Sequence, residues 1–250
     1  MRAALSTEIG KASAAWAVRG SMAALVGGTA ALSVAFALAV RSGDPQIIAK
    51  LGAAGSAPGW SGLLAGATQV AAAGSLLAFG VVASWVVGRE FADGTVEGLY
   101  GLAVGRGGIA TAKLLVSAAV AAVSALLLAL GVLGVGVLLG YGVPAGDDVA
   151  RLARLVVLVV LSGLLALPCA WAATVGRGLL PGIGLAVALL AGTQVLVVAG
   201  AGSWFPTAAP ALWAIDPSAV PVVWLAGGVG VGLVGAVGCI GAWSRLQLDR

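Results

Sequence analysis

Six stretches of this sequence run for roughly 20 residues or more with scarcely a charged side chain. They are Ser21 to Val40, Gly62 to Val87, Leu114 to Val143, Leu155 to Val175, Gly182 to Ala201 and Val220 to Trp243. A helix rises about 1.5 Å per residue, so about 20 residues cross a hydrocarbon core of about 30 Å. Backbone in lipid must satisfy its own hydrogen bonds, and alternating strand patterns are absent, so the runs are expected as spanning helices. The third run is long enough to require tilt or projection beyond the bilayer. A soluble fold is excluded by composition: 61% of the chain is hydrophobic and 9% charged, whereas soluble domains carry about 25% charged residues. The expectation is an all-α integral membrane protein, one domain over residues 1–250.

Lys and Arg set the orientation. With the amino end inside, the inner segments carry Arg2, Lys11, Arg19, Arg89, Arg106, Lys113, Arg177, Arg245 and Arg250. The outer ones carry Arg41, Lys50, Arg151 and Arg154. This excess favours both termini in the cytoplasm. Residues 1–20 are expected to form an amphipathic helix on the inner membrane surface. Leu5, Ile9, Ala12 and Trp16 repeat at helical spacing, with Glu8, Lys11 and Arg19 toward the other side. Those same charges interrupt any signal-peptide pattern, so no cleaved leader is expected. The net charge of +4 reflects the inside bias; without a basic tract, nucleic acid is not an expected partner.

Much chemistry is excluded. There is no His, which removes the commonest general base and metal ligand. Cys169 and Cys239 lie in separate spans, far from any C-x-x-C spacing, and read as buried thiols. Lys11 follows Gly10, but a phosphate-binding loop needs Gly where Leu5 stands and Ser or Thr where Ala12 stands. No ionisable residue lies well inside any of the six apolar runs, whereas ion-driven carriers usually place one there. The strongest intramembrane polar groups are Gln69 and Gln194, with Ser75, Ser117, Ser124, Ser162 and Thr193. These either bridge helices or line a substrate path; Gln69, Gln194 and Ser124 are the pathway candidates, with Trp204, Phe205 and Trp213 at its outer mouth. Gly228, Gly232, Gly235, Cys239 and Ala242 form a small-residue stripe in the last span. Gly62 with Gly66 and Gly136 with Gly140 add small pairs that favour close helix packing.

Charge gathers in one connector, residues 88–113, which holds Arg89, Glu90, Asp93, Glu97, Arg106 and Lys113. Glu90, Asp93 and Glu97 stand at i, i+3 and i+7, so a short helix would align the three carboxylates on one face. Phe91, Thr95, Leu99 and Leu102 would occupy another. A buried carboxylate is costly unless paired, so the acidic face is expected to meet water, the lipid boundary or another protein.

This connector resembles that of the type-2 ABC exporter permeases. Their pattern is roughly E-x-x-x-G-T-x-E-x-L, then a Pro-x-Ser-Arg, then a Lys opening the third span. Glu90-Phe-Ala-Asp-Gly94-Thr95-Val-Glu97-Gly98-Leu99 matches the first block; Arg106, Ile109 and Lys113 match the second. Ala103 stands where the family usually has Pro, and Gly105 where it has Ser or Thr. Residues 202–220, with Trp204, Phe205, Trp213 and spaced prolines, are similar to the family's outer hairpin before the sixth span. A plain interfacial aromatic belt accounts for these aromatics nearly as well.

The resemblance implies the permease subunit of an ATP-driven transporter in a bacterial plasma membrane. Its partners would be cytoplasmic ATP-binding subunits and a second permease subunit, the same or a homologous chain, in the lipid bilayer. This chain would bind no cofactor and hydrolyse nothing; ATP and Mg are expected on the partner. The connector would be the coupling helix, with Glu90, Asp93, Gly94, Thr95 and Glu97 seating in a cleft of the ATPase. Arg106 and Lys113 would pair with the acids or anchor the third span. Export is the implied direction, and the apolar pathway favours a hydrophobic or amphipathic cargo. A secondary carrier or channel, a membrane-embedded enzyme and a structural scaffold are the competing classes. The absence of intramembrane charge argues against the first, and the lack of a nucleophile–base pair against the second.

Overall fold

In the computed structural model, residues 2–43, 46, 48–49, 57–101 and 104–247 are described. Lys50, Leu102, Ala103 and Arg250, which entered the sequence reading, lie outside the described residues. Helix α1 spans Arg2–Ala14 and is followed by α2, Trp16–Ser42; α3, Trp60–Ala92; and a 3-10 turn, Glu97–Gly101. Next come α4, Arg106–Leu138; α5, Asp147–Leu165; α6, Leu167–Val175; and α7, Leu179–Val198. The chain closes with α8, Ala209–Ile215, a 3-10 turn at Val222–Trp224 and α9, Leu225–Ser244. No strand occurs among the described residues. Six helical segments are long and apolar enough to cross a membrane, with α5 and α6 counted as one.

Each of the six expected spans is present, but several helices begin before their apolar runs, and α4 and α7 stop short of the expected ends, at Leu138 and Val198 rather than Val143 and Ala201. Helices α3 and α4 have 33 residues each, about 50 Å at 1.5 Å per residue. Arg89, Glu90, Arg106, Lys113, Arg151 and Arg154 therefore lie inside helices rather than between them, all in end portions. The fourth span is bent. Pro168 at the start of α6 has no N–H to continue the α5 ladder, so the helix breaks at Ala166. The expected surface helix also ends early: Ala15 is extended, and Arg19 belongs to α2.

Helix α3 is the central post, in contact with α2, α4, α5, α6 and α7. Close approach depends on small residues. A side chain at Gly80 would collide with Ala186 of α7, and one at Gly88 would come within 2.7 Å of the Gly178 carbonyl. The stripe on α9 packs within the subunit: Gly228 lies against the Pro206 carbonyl, Gly232 against the Leu164 backbone and Gly235 against Pro168. Trp243, not Ala242, completes its buried face. Elsewhere the bundle exposes large apolar side chains such as Leu126, Leu180, Val195, Leu233 and Val237, as expected of a surface solvated by lipid tails. Between α7 and α9 the spaced prolines hold the chain in short pieces, with Pro210 in the first turn of α8 and Pro221 ahead of the 3-10 turn.

The connector and its charge cluster as a candidate functional site

Helix α3 delivers Glu90 two residues before its end. Gly94 then takes a left-handed backbone, φ +67°, which glycine adopts without steric cost. The chain turns back so that the Val96 N–H donates to the Glu90 carbonyl at 3.1 Å. Thr95 Oγ1 donates to Glu90 Oε2 at 2.5 Å. The Glu-x-x-x-Gly-Thr part of the motif is thus a device that closes a helix. Val96 is buried and Leu99 half-buried against the apolar cluster around Trp243, which fixes the 3-10 turn. Asp93, Thr95 and Glu97 are exposed.

The acidic face expected for this segment does not form. No helix runs from Glu90 to Glu97, because α3 stops at Ala92 and Gly94 reverses the chain. Glu90 points inward and is buried, while Asp93 and Glu97 face outward. Asp93 pairs with Arg89 at 3.1 Å across one turn.

Glu90 belongs to a cluster of four charges drawn from three helices. Lys113, on the third turn of α4, is 0% exposed. Its ammonium donates to Glu90 Oε1 at 3.0 Å, to Glu8 Oε2 at 2.8 Å and to the Val86 carbonyl at 2.9 Å, using all three of its hydrogens. Lys11 donates to Glu90 Oε1 at 2.8 Å and Glu8 Oε1 at 3.1 Å. Two acids and two bases balance, which is the condition for burying them. The indole of Trp243 lies 5.9 Å from the Lys113 ammonium and donates to Thr174 Oγ1 at 3.1 Å. At Lys11, burial alone would pull the pKa down; the hydrogen bond to Glu90 and the charge of Glu8 outweigh it, and the net shift is upward.

The surface helix is consequently turned differently from its sequence reading. Glu8 faces the bundle and is buried, whereas Ile9 and Trp16 are exposed. The counter-charges on Lys113 and Lys11 account for this. A signal for it existed: Leu5, Glu8 and Ala12 share one helical face, and a carboxylate inside an apolar stripe needs a buried partner. The other basic residue of the connector, Arg106, opens α4 and donates through Nη1 to the Leu246 carbonyl at 2.5 Å, fastening the segment after α9 to the connector. Gly105 occupies the N-cap of α4 without a side-chain bond, a substitution that costs a few tenths of a kcal/mol relative to Ser.

At the opposite end of the bundle, Gln69 and Gln194 line one cleft of about 400 Å³ between α3, α7 and α8. Thr193 is in its wall and is hydrogen-bonded to Thr207. Ser124 does not reach it: its hydroxyl is buried in α4 without a partner among the described residues. Trp204 is exposed and stands edge-on to Phe205, ring centroids 5.9 Å apart; Trp213 is half-buried against the apolar core. None of these aromatics is among the residues lining the cleft.

Comparison with known sequences adds one match. A sequence model described as ABC-2 family transporter protein matches residues 19–192, well over half of the chain and across both faces of the connector. No curated protein matches the chain.

Proposed function

The chain belongs to the ABC-2 family of transporter proteins, and from that premise we propose that it is the membrane subunit of an ATP-driven exporter powered by a separate cytoplasmic ATPase. Membership makes it a permease component of an ABC transporter, a transport part and not itself the catalyst. The reading places two such subunits, identical or homologous, with two ATPases in a bacterial plasma membrane, ATP and Mg being held by the ATPases. The cargo is hydrophobic or amphipathic and leaves the cytoplasm.

One observation carries the coupling role: the connector is rigid inward and open outward. Its inner side is fixed by the Glu90–Thr95 bond, the Val96 contact and the buried cluster. Its outer side presents Asp93, Thr95 and Glu97. A push on the outer side is passed through Glu90 and Lys113 into α3 and α4, and through Glu8 into α1. That arrangement supports force transfer from an ATPase to the helices when ATP closes the pair.

The motif then divides by role. Glu97 and Asp93 are the docking acids, and Glu90 is structural. Expressed with a candidate ATPase subunit, Glu97→Lys should insert and fold normally yet copurify about tenfold or more weakly. A charged hydrogen bond contributes roughly 1.5–3 kcal/mol, and 1.4 kcal/mol is about a factor of ten. Glu90→Lys should fail differently, since it crowds a third ammonium beside Lys11 and Lys113 and should lower the stability of the membrane domain itself. Normal assembly and ATPase stimulation in both Glu97→Lys and Asp93→Lys would reduce the connector to a solvated loop.

A further inference from the structure

A second cleft opens at the end of the bundle remote from the connector, between α3, α5 and α8, with a volume of about 280 Å³. Ser61, Thr68, Gln69 and Arg151 supply its polar wall; Leu64 and Ile215 are among its apolar lining. Gln69 and Ile215 also line the cleft that holds Gln194, so the two spaces adjoin along one seam.

These four polar side chains are unusual in what they lack. Among the described residues, none of Ser61, Thr68, Gln69 or Arg151 has a side-chain hydrogen bond or ion pair. Asp147 and Asp148 open the same helix as Arg151, yet neither pairs with it, and among the described residues no carboxylate lines the cleft. Arg154 follows one turn later, and its Nε is buried without a hydrogen-bond partner among the described residues. A guanidinium offers a planar fork of donors matched to carboxylate or phosphate oxygens. Held beside two hydroxyls and an amide in a partly closed cleft, it meets a low local dielectric that strengthens its pull on an anion. The adjoining space is largely apolar, bordered by Ala72, Ala73, Val197 and Leu212.

We propose that the joined clefts bind an anionic amphiphile, its phosphate or carboxylate head on Arg151 with Ser61, Thr68 and Gln69, its tail in the apolar seam toward Val197. The occupant is either exported cargo or a lipid of the surrounding bilayer; only the first rests on the export reading.

The test uses the full chain in a neutral maltoside detergent, with dodecyl phosphate as probe against two compounds of the same tail, dodecylphosphocholine and dodecyltrimethylammonium. Wild type should prefer the phosphate by about tenfold or more, the loss expected for one charged hydrogen bond. Arg151→Gln should abolish the preference, Arg151→Lys should retain part of it, and inorganic phosphate without a tail should bind far more weakly. Equal binding of the three head groups, or an undiminished preference in folded Arg151→Gln, overturns the proposal. If Arg151→Gln does not fold, Thr68→Val with Gln69→Leu replaces it, and an unchanged preference there is equally fatal. Reconstitution then separates the sources. Loss of dodecyl phosphate binding in phosphatidylcholine vesicles containing phosphatidylglycerol identifies a bilayer lipid. Survival of binding there, with stimulation of ATP hydrolysis by the assembled complex, identifies cargo. Head-group preference is measured without any ATPase, so failure here leaves the export proposal standing, and failed assembly there leaves this site standing.

Discussion

Lys113 is the residue on which the connector end depends. Its hydrogens go to Glu8, Glu90 and the Val86 carbonyl, and no water-exposed position is left to it. Removing one partner from a buried charge group is costly because the others stay buried, typically about 3–5 kcal/mol. Lys113→Met should therefore destabilise the detergent-solubilised chain by about that much in denaturant unfolding. Combining it with Glu8→Gln should cost less than the two single losses summed, because Glu90 and Lys11 remain a matched pair. Strict additivity would mean that the cluster is not one unit. The pH dependence has a definite sign. The folded state holds the Lys11 proton more tightly than the unfolded chain, because hydrogen bonding to Glu90 and the Glu8 charge exceed the opposing effect of burial. Its stabilisation is complete below the ordinary lysine value of 10.5 and drains only as pH climbs through the raised folded value. Protease access to α1 should thus stay constant from neutral pH up to about that value; release of α1 near neutrality would contradict the pairing.

At the scale of elements, helix contacts are set by where side chains are absent. In α7 an added Cβ at Gly182 would approach the Cys169 carbonyl to 2.6 Å, whereas one at Gly184 would meet nothing within 4 Å. Gly182→Ala should cost roughly 1–3 kcal/mol by overpacking, while Gly184→Ala should be neutral or gain up to about 1 kcal/mol from reduced backbone entropy. Equal thermal stability of the two variants would refute the α6–α7 packing. The six helices were legible because hydropathy measures the solvent directly. Their ends were not, because a helix continues through charged residues when counter-charges arrive from far along the chain; Glu8 and Lys113 are 105 residues apart. The inward turn of Glu8 on α1 is hidden for the same reason. The α9 stripe was visible as small residues, but its partner was not: Pro168 and Leu164 carry no mark of facing it. In the connector, the charged positions were legible and their division into inward Glu90 and outward Glu97 was not, since that depends on the reversal at Gly94. At the opposite cleft, Gln69 and Gln194 stand out as polar in apolar runs, whereas Arg151 lies before its apolar run and carries no local mark of facing a cleft.

For the molecule as a whole, the two ends differ in kind, and this fixes what sidedness must be. Helices α3 and α4 are about 50 Å long against a hydrocarbon core of about 30 Å, so about 20 Å of each lies beyond it if the helices stand upright. Their shared end carries Glu90, Lys113 and the outward acids Asp93 and Glu97. The opposite end carries the start of α5, with Asp147 and Arg151, and the proline-rich segment before α9. If an ATPase docks on the connector, that end must be cytoplasmic, and the cleft at Arg151 then opens toward the outer leaflet. The excess of Lys and Arg on the connector side independently asks for the same orientation. Cysteine labelling can decide it without removing the native thiols, because Cys169 and Cys239 are both buried. Asp93 and Asp147 are both exposed, so substitution at either should leave the fold intact. In intact cells, Asp147→Cys should react with a membrane-impermeant maleimide, and Asp93→Cys should react only in inside-out vesicles. The reverse pattern would place Glu97 where no ATP-driven partner can reach it and would end the coupling proposal.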